Sequence, residues 1–413
     1  MAFVFQEQLE VNKEKETATA RNMNKNFRNK GYRIVYIRFI GGSELPIVVT
    51  YYAKNCDDRK RKSRSKGCYP GLILMGVHDH CTPELASEVS LAAAALCSLK
   101  EAQEMLANRG IKLDIKTIRN IMKRFSARAR LCQKAGNHAC TMPSNGKGRR
   151  IVISTDGGRT RVRKTKRGPK TSKQRNRYHT DWREPKLLII YVADDNGRCN
   201  KEFSVIIDGI IAGADRIFEL ILSYLKQLNI TSDDSLLFIA DGALWIWDRI
   251  SSLKESLQLK NEQLFELLDF YHAVEHLNAI ANLKTYWTEK KRKKWISTQR
   301  STLKAGYSDN VIKAIKNVCE NSKNKELQTQ CDYFAKNASR MHYAKMAELK
   351  FLMGSGAIES TVRRVINLRL KGPGIFWHED TANEMIMLRS YYKAKRWECI
   401  REMSYKGGFL EAA

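Results

Sequence analysis

Between Arg150 and Phe270 the chain switches between short, dense apolar runs and stretches whose apolar residues recur every three or four positions. The dense runs are RIVIST (150–155), LLIIYVA (187–193), EFSVIID (202–208), SLLFIA (235–240) and LFELLDF (264–270). Their length and dense apolar content predict five strands. Asn196-Gly197 supplies a hairpin turn between the second and third. Ala214–Leu228 instead places Ile217, Leu220, Ile221, Tyr224, Leu225 and Leu228 on one face of a helix, and Ala243–Leu257 reads as another helix.

Upstream, residues 1–30 are polar and charged, a leading helix or a loose arm. RIVYIRF (33–39) and LPIVVTYYA (45–53) flank Gly41-Gly42 as a small hairpin. Thr82 before Pro83 starts a helix carrying Leu85, Val89 and Leu96. Ser98-Leu-Lys-Glu101 is a capping box that opens a second helix, which Gly110 ends. Asp114 caps a third, with Ile118, Ile121, Met122 and Phe125 on its core side and Lys116, Arg119 and Lys123, followed by Arg124 and Arg128, on another. Three short helices ending in a basic one match the needs of a helix-turn-helix, and a solvated basic helix is the plain alternative.

Downstream, Leu277–Leu352 is Lys-rich, aromatic and proline-free, a helical insertion. FLMGSGAIESTVRRVINLRLKGPGIFW (351–377) follows. Ser355 is its candidate N-cap, Ile358, Val362, Val365, Ile366 and Leu370 its apolar face, and Gly372-Pro-Gly its stop. Glu359 stands among Arg363, Arg364, Arg369 and Lys371, where a surface ion pair is the usual role, but the Gly-Ser-Gly hinge and the apolar stripe beside it suit a carboxylate aimed inward.

Composition narrows the function. The 413 residues suffice for two or three domains. Lys+Arg number 73 against 44 Asp+Glu, a net charge of +29 that favours a polyanionic partner, of which nucleic acid is the commonest. An anionic membrane surface or a ribosome-like scaffold is the competing reading. Met1–Phe5 is too short for a signal peptide, and no apolar run approaches a membrane span. Ten cysteines without a C-x-x-C pair suggest reduced thiols and a cytoplasmic protein. Cys56, Cys68 and Cys81 with His78 or His80 have no trusted zinc spacing, and small buried thiols are the plainer reading.

Three strands, helix, strand, helix, strand is the element order of the ribonuclease-H-like fold. In that order the first and fourth strands are neighbours, which would bring Asp156 and Asp241 side by side. With Glu359 they form an acidic trio in a cationic chain. Phosphodiester chemistry requires charge neutralisation on attacking and leaving oxygens, which two divalent ions held by carboxylates provide. Mg²⁺, a hard ion, takes oxygen ligands.

STDGGR (154–159), YHTDWREPKLL (178–188), FIADGALWIW (238–247), LDFYHAVEHL (268–277) and GSGAIESTVRRVINLRLKGPGIFW (354–377) together resemble DDE transposases of bacterial insertion sequences, with the ISKra group as the nearest likeness. The resemblance runs from about Pro83 to Arg389 and is weaker over the first 80 residues. It implies an α/β, ribonuclease-H-like catalytic domain interrupted by a helical insertion, with Asp156, Asp241 and Glu359 as catalytic metal ligands. The implied cofactor is two Mg²⁺, which Mn²⁺ would replace. The implied reaction is water-driven strand cleavage at the transposon end, then in-line attack by the freed 3′-hydroxyl on target DNA. The implied partners are transposon ends, target DNA and a second copy or more of the chain, with no membrane; the implied location is the bacterial cytoplasm, on the nucleoid when DNA-bound. Asp269-Phe-Tyr-His272 resembles an Asp/Cys-x-x-His element of related transposases, which makes Asp269 and His272 accessory candidates.

The expected divisions are an N-terminal region (1–80), a helix-turn-helix-like region (81–148), the first part of the core (149–276), the insertion (277–350) and the second part of the core (351–413). Arg159, Arg161, Arg163 and Lys164, in the basic stretch Arg159–Arg183, together with Arg363 and Arg364, are expected along DNA phosphates, where contacts give affinity and salt dependence rather than sequence choice. Trp245, Trp247, Trp287, Trp295 and Trp377 are core or base-stacking candidates. His272-x-x-Glu275-His276 also fits an inverted zinc-peptidase pattern, which would leave the basic charge and the acidic trio without a role. A nuclease or resolvase that cuts without joining, and a DNA-binding protein without activity, are the alternatives.

Overall fold

The computed structural model describes residues 2–54, 67–136, 148–260, 262–320 and 322–412. Cys56, the basic run 59–66 and nearly all of the expected linker at 137–148 lie outside them. The chain is mixed α/β, with a central mixed sheet and many helices. It falls into two compact units, one of residues 1–140 with 377–413 and one of residues 141–376.

In the first unit, helices Ala2–Val11 and Lys13–Met23 precede an antiparallel pair, β1 (Phe27–Arg38) and β2 (Glu44–Lys54). Alternation sends Val35, Ile37, Ile47 and Val49 into a core with Leu9 and Leu72, and leaves Ile34 and Tyr36 exposed. Helices Pro83–Ala95, Leu99–Asn108 and Ile115–Lys134 follow, each capped as its sequence predicts. Thr82 and Ser98 accept from the backbone N–H of Leu85 and Glu101, and Asp114 accepts from those of Lys116 and Thr117. Glu101 in turn accepts from the Ser98 hydroxyl at 2.9 Å and from the Cys97 N–H, one residue before the cap, at 3.2 Å.

The last two helices, Glu379–Lys393 and Trp397–Ala412, belong to this unit, so the segment expected as 351–413 divides at Trp377. The reason is apolar packing. Trp397 stacks on Phe125 at 5.9 Å and donates its indole N–H to Ser87, while Met385, Ile386 and Ile400 are fully buried.

The second unit holds the main sheet. It comprises β3 (Arg150–Gly157), β6 (Lys186–Ala193), β7 (Ile206–Ile210), β8 (Ser235–Ala240) and β9 (Leu264–Leu268), in the spatial order β7-β6-β3-β8-β9. The first three pair antiparallel; β8 and β9 join parallel to β3. All eight residues of β6 are buried, which explains their nearly unbroken apolar run. Helix Ala214–Gln227 buries Ile217, Ile221, Tyr224 and Leu225 against the sheet.

Several expectations shift; β1 begins at Phe27 rather than Arg33, and β9 ends at Leu268, with Phe270 opening a helix. The third strand lies at 206–210, not 202–208. The expected helix 243–257 is two pieces, Leu244–Trp247 and Ile250–Ser256. The basic stretch after β3, for which the sequence predicts no strand, is a hairpin of β4 (Thr160–Thr165) and β5 (Tyr178–Arg183). With Val162 as the only apolar residue in β4, alternation gave no signal there.

Phe270–Leu283 leads into the insertion helices Glu289–Lys304, Ser308–Cys319, Lys325–Lys336 and Tyr343–Glu348. Cys319 and Cys331 are joined by a disulfide, contrary to the expectation of reduced thiols throughout; their helices hold the Cα atoms 6.9 Å apart. Among the described residues no helix is long and apolar enough to cross a membrane.

Candidate metal centre and basic surfaces

Parallel pairing decides the geometry of the site. Ile153 of β3 stands opposite Phe238 of β8, and Ala240 of β8 opposite Leu268 of β9. Carried forward, these registers bring Asp156, Asp241 and Asp269 level at the carboxyl ends of three adjacent strands. The β3–β8 pairing stops at Ile153 and Phe238, so the two strands part just before their aspartates. The carboxyl end of such a sheet is where open α/β structures bind ligands.

Backbone groups steady each carboxylate. Asp156 accepts from the Gly157 N–H at 2.6 Å and Asp241 from the Ala243 N–H at 3.0 Å. Asp269 is fully buried; its Oδ1 accepts from the His272 N–H at 2.8 Å and its Oδ2 from the Ser355 N–H. Glu359 arrives on helix Gly356–Val362, where it is exposed rather than inward-facing. The Ser355 hydroxyl donates to Glu359 Oε1 at 3.1 Å and makes no N-cap hydrogen bond, so the predicted cap is a carboxylate holder instead. The helix also does not run unbroken to Leu370: Arg363–Asn367 is a π-helical turn, a feature frequent at functional sites.

The electrostatics report one cluster. Burial raises Asp156 to about 6, helped by the negative charges of Asp241 and Glu359 and opposed by the Gly157 N–H and by His272. Hydrogen bonding to Asp269 raises His272 to about 9 against its burial, with Glu275 and Asp241 adding to the rise. Burial would raise Asp269, but hydrogen bonds from His272 and Ser355 prevail and hold it at about 2. His272 Nδ1 lies 3.3 Å from Asp269 Oδ1.

Asp269, His272 and Glu359 offer ligand atoms all within 4.8 Å of one another and could hold a metal ion. Sequence reasoning ranked Asp269 and His272 as accessory; their spacing to Glu359 depends on the Met353–Ser355 backbone closing onto Asp269 and Phe270, whose N–H donates to the Met353 carbonyl at 3.0 Å. No family model matches the chain, and no curated protein matches it.

The peptidase pattern does not assemble. His276 is taken by Gln330, 2.5 Å from its Nδ1, and stacks on Tyr333 at 3.6 Å. Cys68 and Cys81 are buried, which pushes both thiols up to about 11, and they join no metal-binding group among the described residues. Trp247, Trp287 and Trp377 are core residues, and Trp245 and Trp295 are partly buried. The exposed tryptophan is Trp182 of β5, which sequence reasoning did not single out.

Of the expected DNA contacts, Lys116, Arg159, Lys164 and Arg363 are exposed, while Arg119, Lys123, Arg161, Arg163 and Arg364 are partly so. On helix Ile115–Lys134, Arg124 and Arg128 are engaged by Asp79, and Arg128 is buried.

Proposed function

We propose that the protein is a DDE transposase, which binds the ends of a mobile element and catalyses metal-dependent strand cleavage and strand transfer. One observation carries the reading: an aspartate follows the paired residues of each of three adjacent parallel strands, and the charges of Asp241 and Glu359 both act on Asp156. In the order β7-β6-β3-β8-β9 the first and fourth core strands, β3 and β8, are neighbours, as a ribonuclease-H-like core requires, which supports the same reading. The helices Pro83–Ala95 to Ile115–Lys134 are then the helix-turn-helix-like reader of the element's ends.

The donor set fits hard divalent cations, because it is built of carboxylate oxygens with one imidazole. Asp156, Asp241 and Glu359 would hold Mg²⁺ together with Asp269 and His272, of which Asp269, His272 and Glu359 are the three whose ligand atoms lie within 4.8 Å of one another. Divalent ions there supply Lewis-acid stabilisation of charge on the attacking and leaving oxygens. The chain's own part is orientation: Gly157, Ala243 and Ser355 aim the carboxylates before DNA arrives. The excess of 73 Lys+Arg over 44 Asp+Glu supplies the long-range attraction for DNA.

The test is a Mg²⁺-dependent strand-transfer assay with labelled DNA carrying the element's ends and a supercoiled target, wild type beside Glu359→Gln. Joined product from wild type alone supports the reading. Nicking without joining, lost in the variant, would make the protein a nuclease. Equal outcomes for both proteins would remove Glu359 from catalysis, and absence of cutting by either would leave a DNA-binding protein without activity.

A further inference from the structure

The β4–β5 hairpin carries an arrangement that neither cleavage chemistry nor phosphate binding requires. Its register sets Arg161 opposite Trp182, Arg163 opposite Thr180 and Thr165 opposite Tyr178, so these side chains share one face of the ribbon. On that face cations and rings alternate. The Arg161 guanidinium lies 5.9 Å from the Trp182 ring and 4.8 Å from Phe376; that of Arg163 lies 5.3 Å from Phe376 and 4.5 Å from Tyr178. The order is Trp182, Arg161, Phe376, Arg163, Tyr178. Arg161 also donates to the Gly372 carbonyl and so anchors the ladder to its floor. Both outer rings remain in solvent, Trp182 at 55% exposure and Tyr178 at 45%.

The surroundings are anionophilic. From Arg159 to Arg183 the sole acid is Asp181, and Lys164 and Arg183 each hold it at 2.7 Å, on the ribbon's other face. Beyond the strands, Lys166, Lys173, Arg175 and Arg177 line a cleft of about 720 Å³ with Arg163 and Tyr178.

The geometry points to a binding ribbon for single-stranded DNA, with Trp182 and Tyr178 stacking on unpaired bases while the surrounding cations follow the phosphates. A duplex exposes base edges and phosphates but hides base faces, so two open rings would gain nothing from it. An unpaired base has a flat apolar face of the size these rings leave uncovered. Arginines packed against the rings hold them in place and add cation–π attraction. The inference takes its DNA partner from the proposed function, but binding here requires neither the carboxylates nor metal.

The experiment titrates the full-length protein with a short oligothymidylate, in chelator, and follows tryptophan emission. The same titration is run with a duplex of equal length and with an abasic strand, which keeps the phosphates and lacks the bases. Oligothymidylate should quench emission and bind at least about tenfold more tightly than the abasic strand. Trp182→Phe should lose most of the quench but keep most of the affinity. Trp182→Ala, at an exposed site, should bind oligothymidylate about tenfold more weakly and the abasic strand as well as wild type does. Equal affinity of wild type for base-bearing and abasic strands would overturn the inference. So would equal quenching by duplex, which would make the ribbon a reader of double-stranded DNA. Because no divalent ion is present, a failed strand-transfer assay leaves this result standing, and the reverse.

Discussion

Ile153 and Phe238 are partners in the parallel pairing of β3 with β8, and three residues beyond each lies an aspartate, Asp156 and Asp241. This level placement puts two negative charges where the strands part, and it has a cost. Asp156 is raised from 3.8 to about 6 by burial and by its neighbours' charges. The folded state therefore binds more protons than the unfolded chain between those values, and stability falls as pH rises through about 6. Asp156→Asn removes that penalty. In chelator at pH 7 it should be more stable than wild type by about 1–3 kcal/mol, read by urea unfolding. At about pH 4 the gap should nearly vanish. Added Mg²⁺ should also narrow it, because binding to the native state stabilises wild type alone.

Ser355→Ala removes the hydroxyl that donates to Glu359 at 3.1 Å while leaving the backbone N–H that holds Asp269. Groups that orient metal ligands typically contribute about 10- to 100-fold in affinity. Calorimetric titration with Mn²⁺ should show a loss in that range. Ser355→Thr, which keeps a hydroxyl, should recover most of it.

A methyl group on Gly242 would overlap the ring of Tyr333, which stacks on His276. Gly242→Ala should therefore displace the insertion helix Lys325–Lys336 beside the site and destabilise the protein by about 1–3 kcal/mol. A thermal melt reads the loss. Gly242→Ala/Tyr333→Ala, which makes room for the methyl group, should lose less than the sum of the two single variants.

Arg149 and Asp234 form a buried pair at 2.7 Å where β3 begins. Arg149 also donates to the carbonyls of Leu228 and Asn229. Asp234→Ala leaves the guanidinium buried without its counter-charge and should cost about 3–5 kcal/mol by urea unfolding. Arg149→Met/Asp234→Leu should recover part of that, since no lone charge remains.

Lys116, Arg119 and Lys123 lie on one flank of helix Ile115–Lys134, clear of the residues that Asp79 engages. Replacing all three by Gln should lower the slope of log affinity against log salt by about 2–3 on duplex DNA. An unchanged slope would mean that this helix is merely a solvated face.

Much of the fold was readable because its signals are local. β8 falls at the residues its apolar run predicts, and Thr82, Ser98 and Asp114 cap their helices as their positions imply, since a cap depends on residues three apart. The β4–β5 ribbon was not readable, because its strands are held by cross-strand pairing and by Phe376, nearly two hundred residues away in sequence. Nor was the division at Trp377: residues 354–376 read as one helix and its stop, but the helices beyond pack with the first unit.

By itself the sequence determined that the main sheet has five strands, most helix starts, the positive charge and the identity of the acids, all properties of a residue and its near neighbours. Tertiary structure alone decided which acids meet. Asp269 sits 90 positions before Glu359, and Ser355 bonds to both, a relation set by the register of parallel strands and by a helix returning across an insertion. Parallel partners are distant in the chain, so no local pattern encodes their register; only the packed sheet sets it.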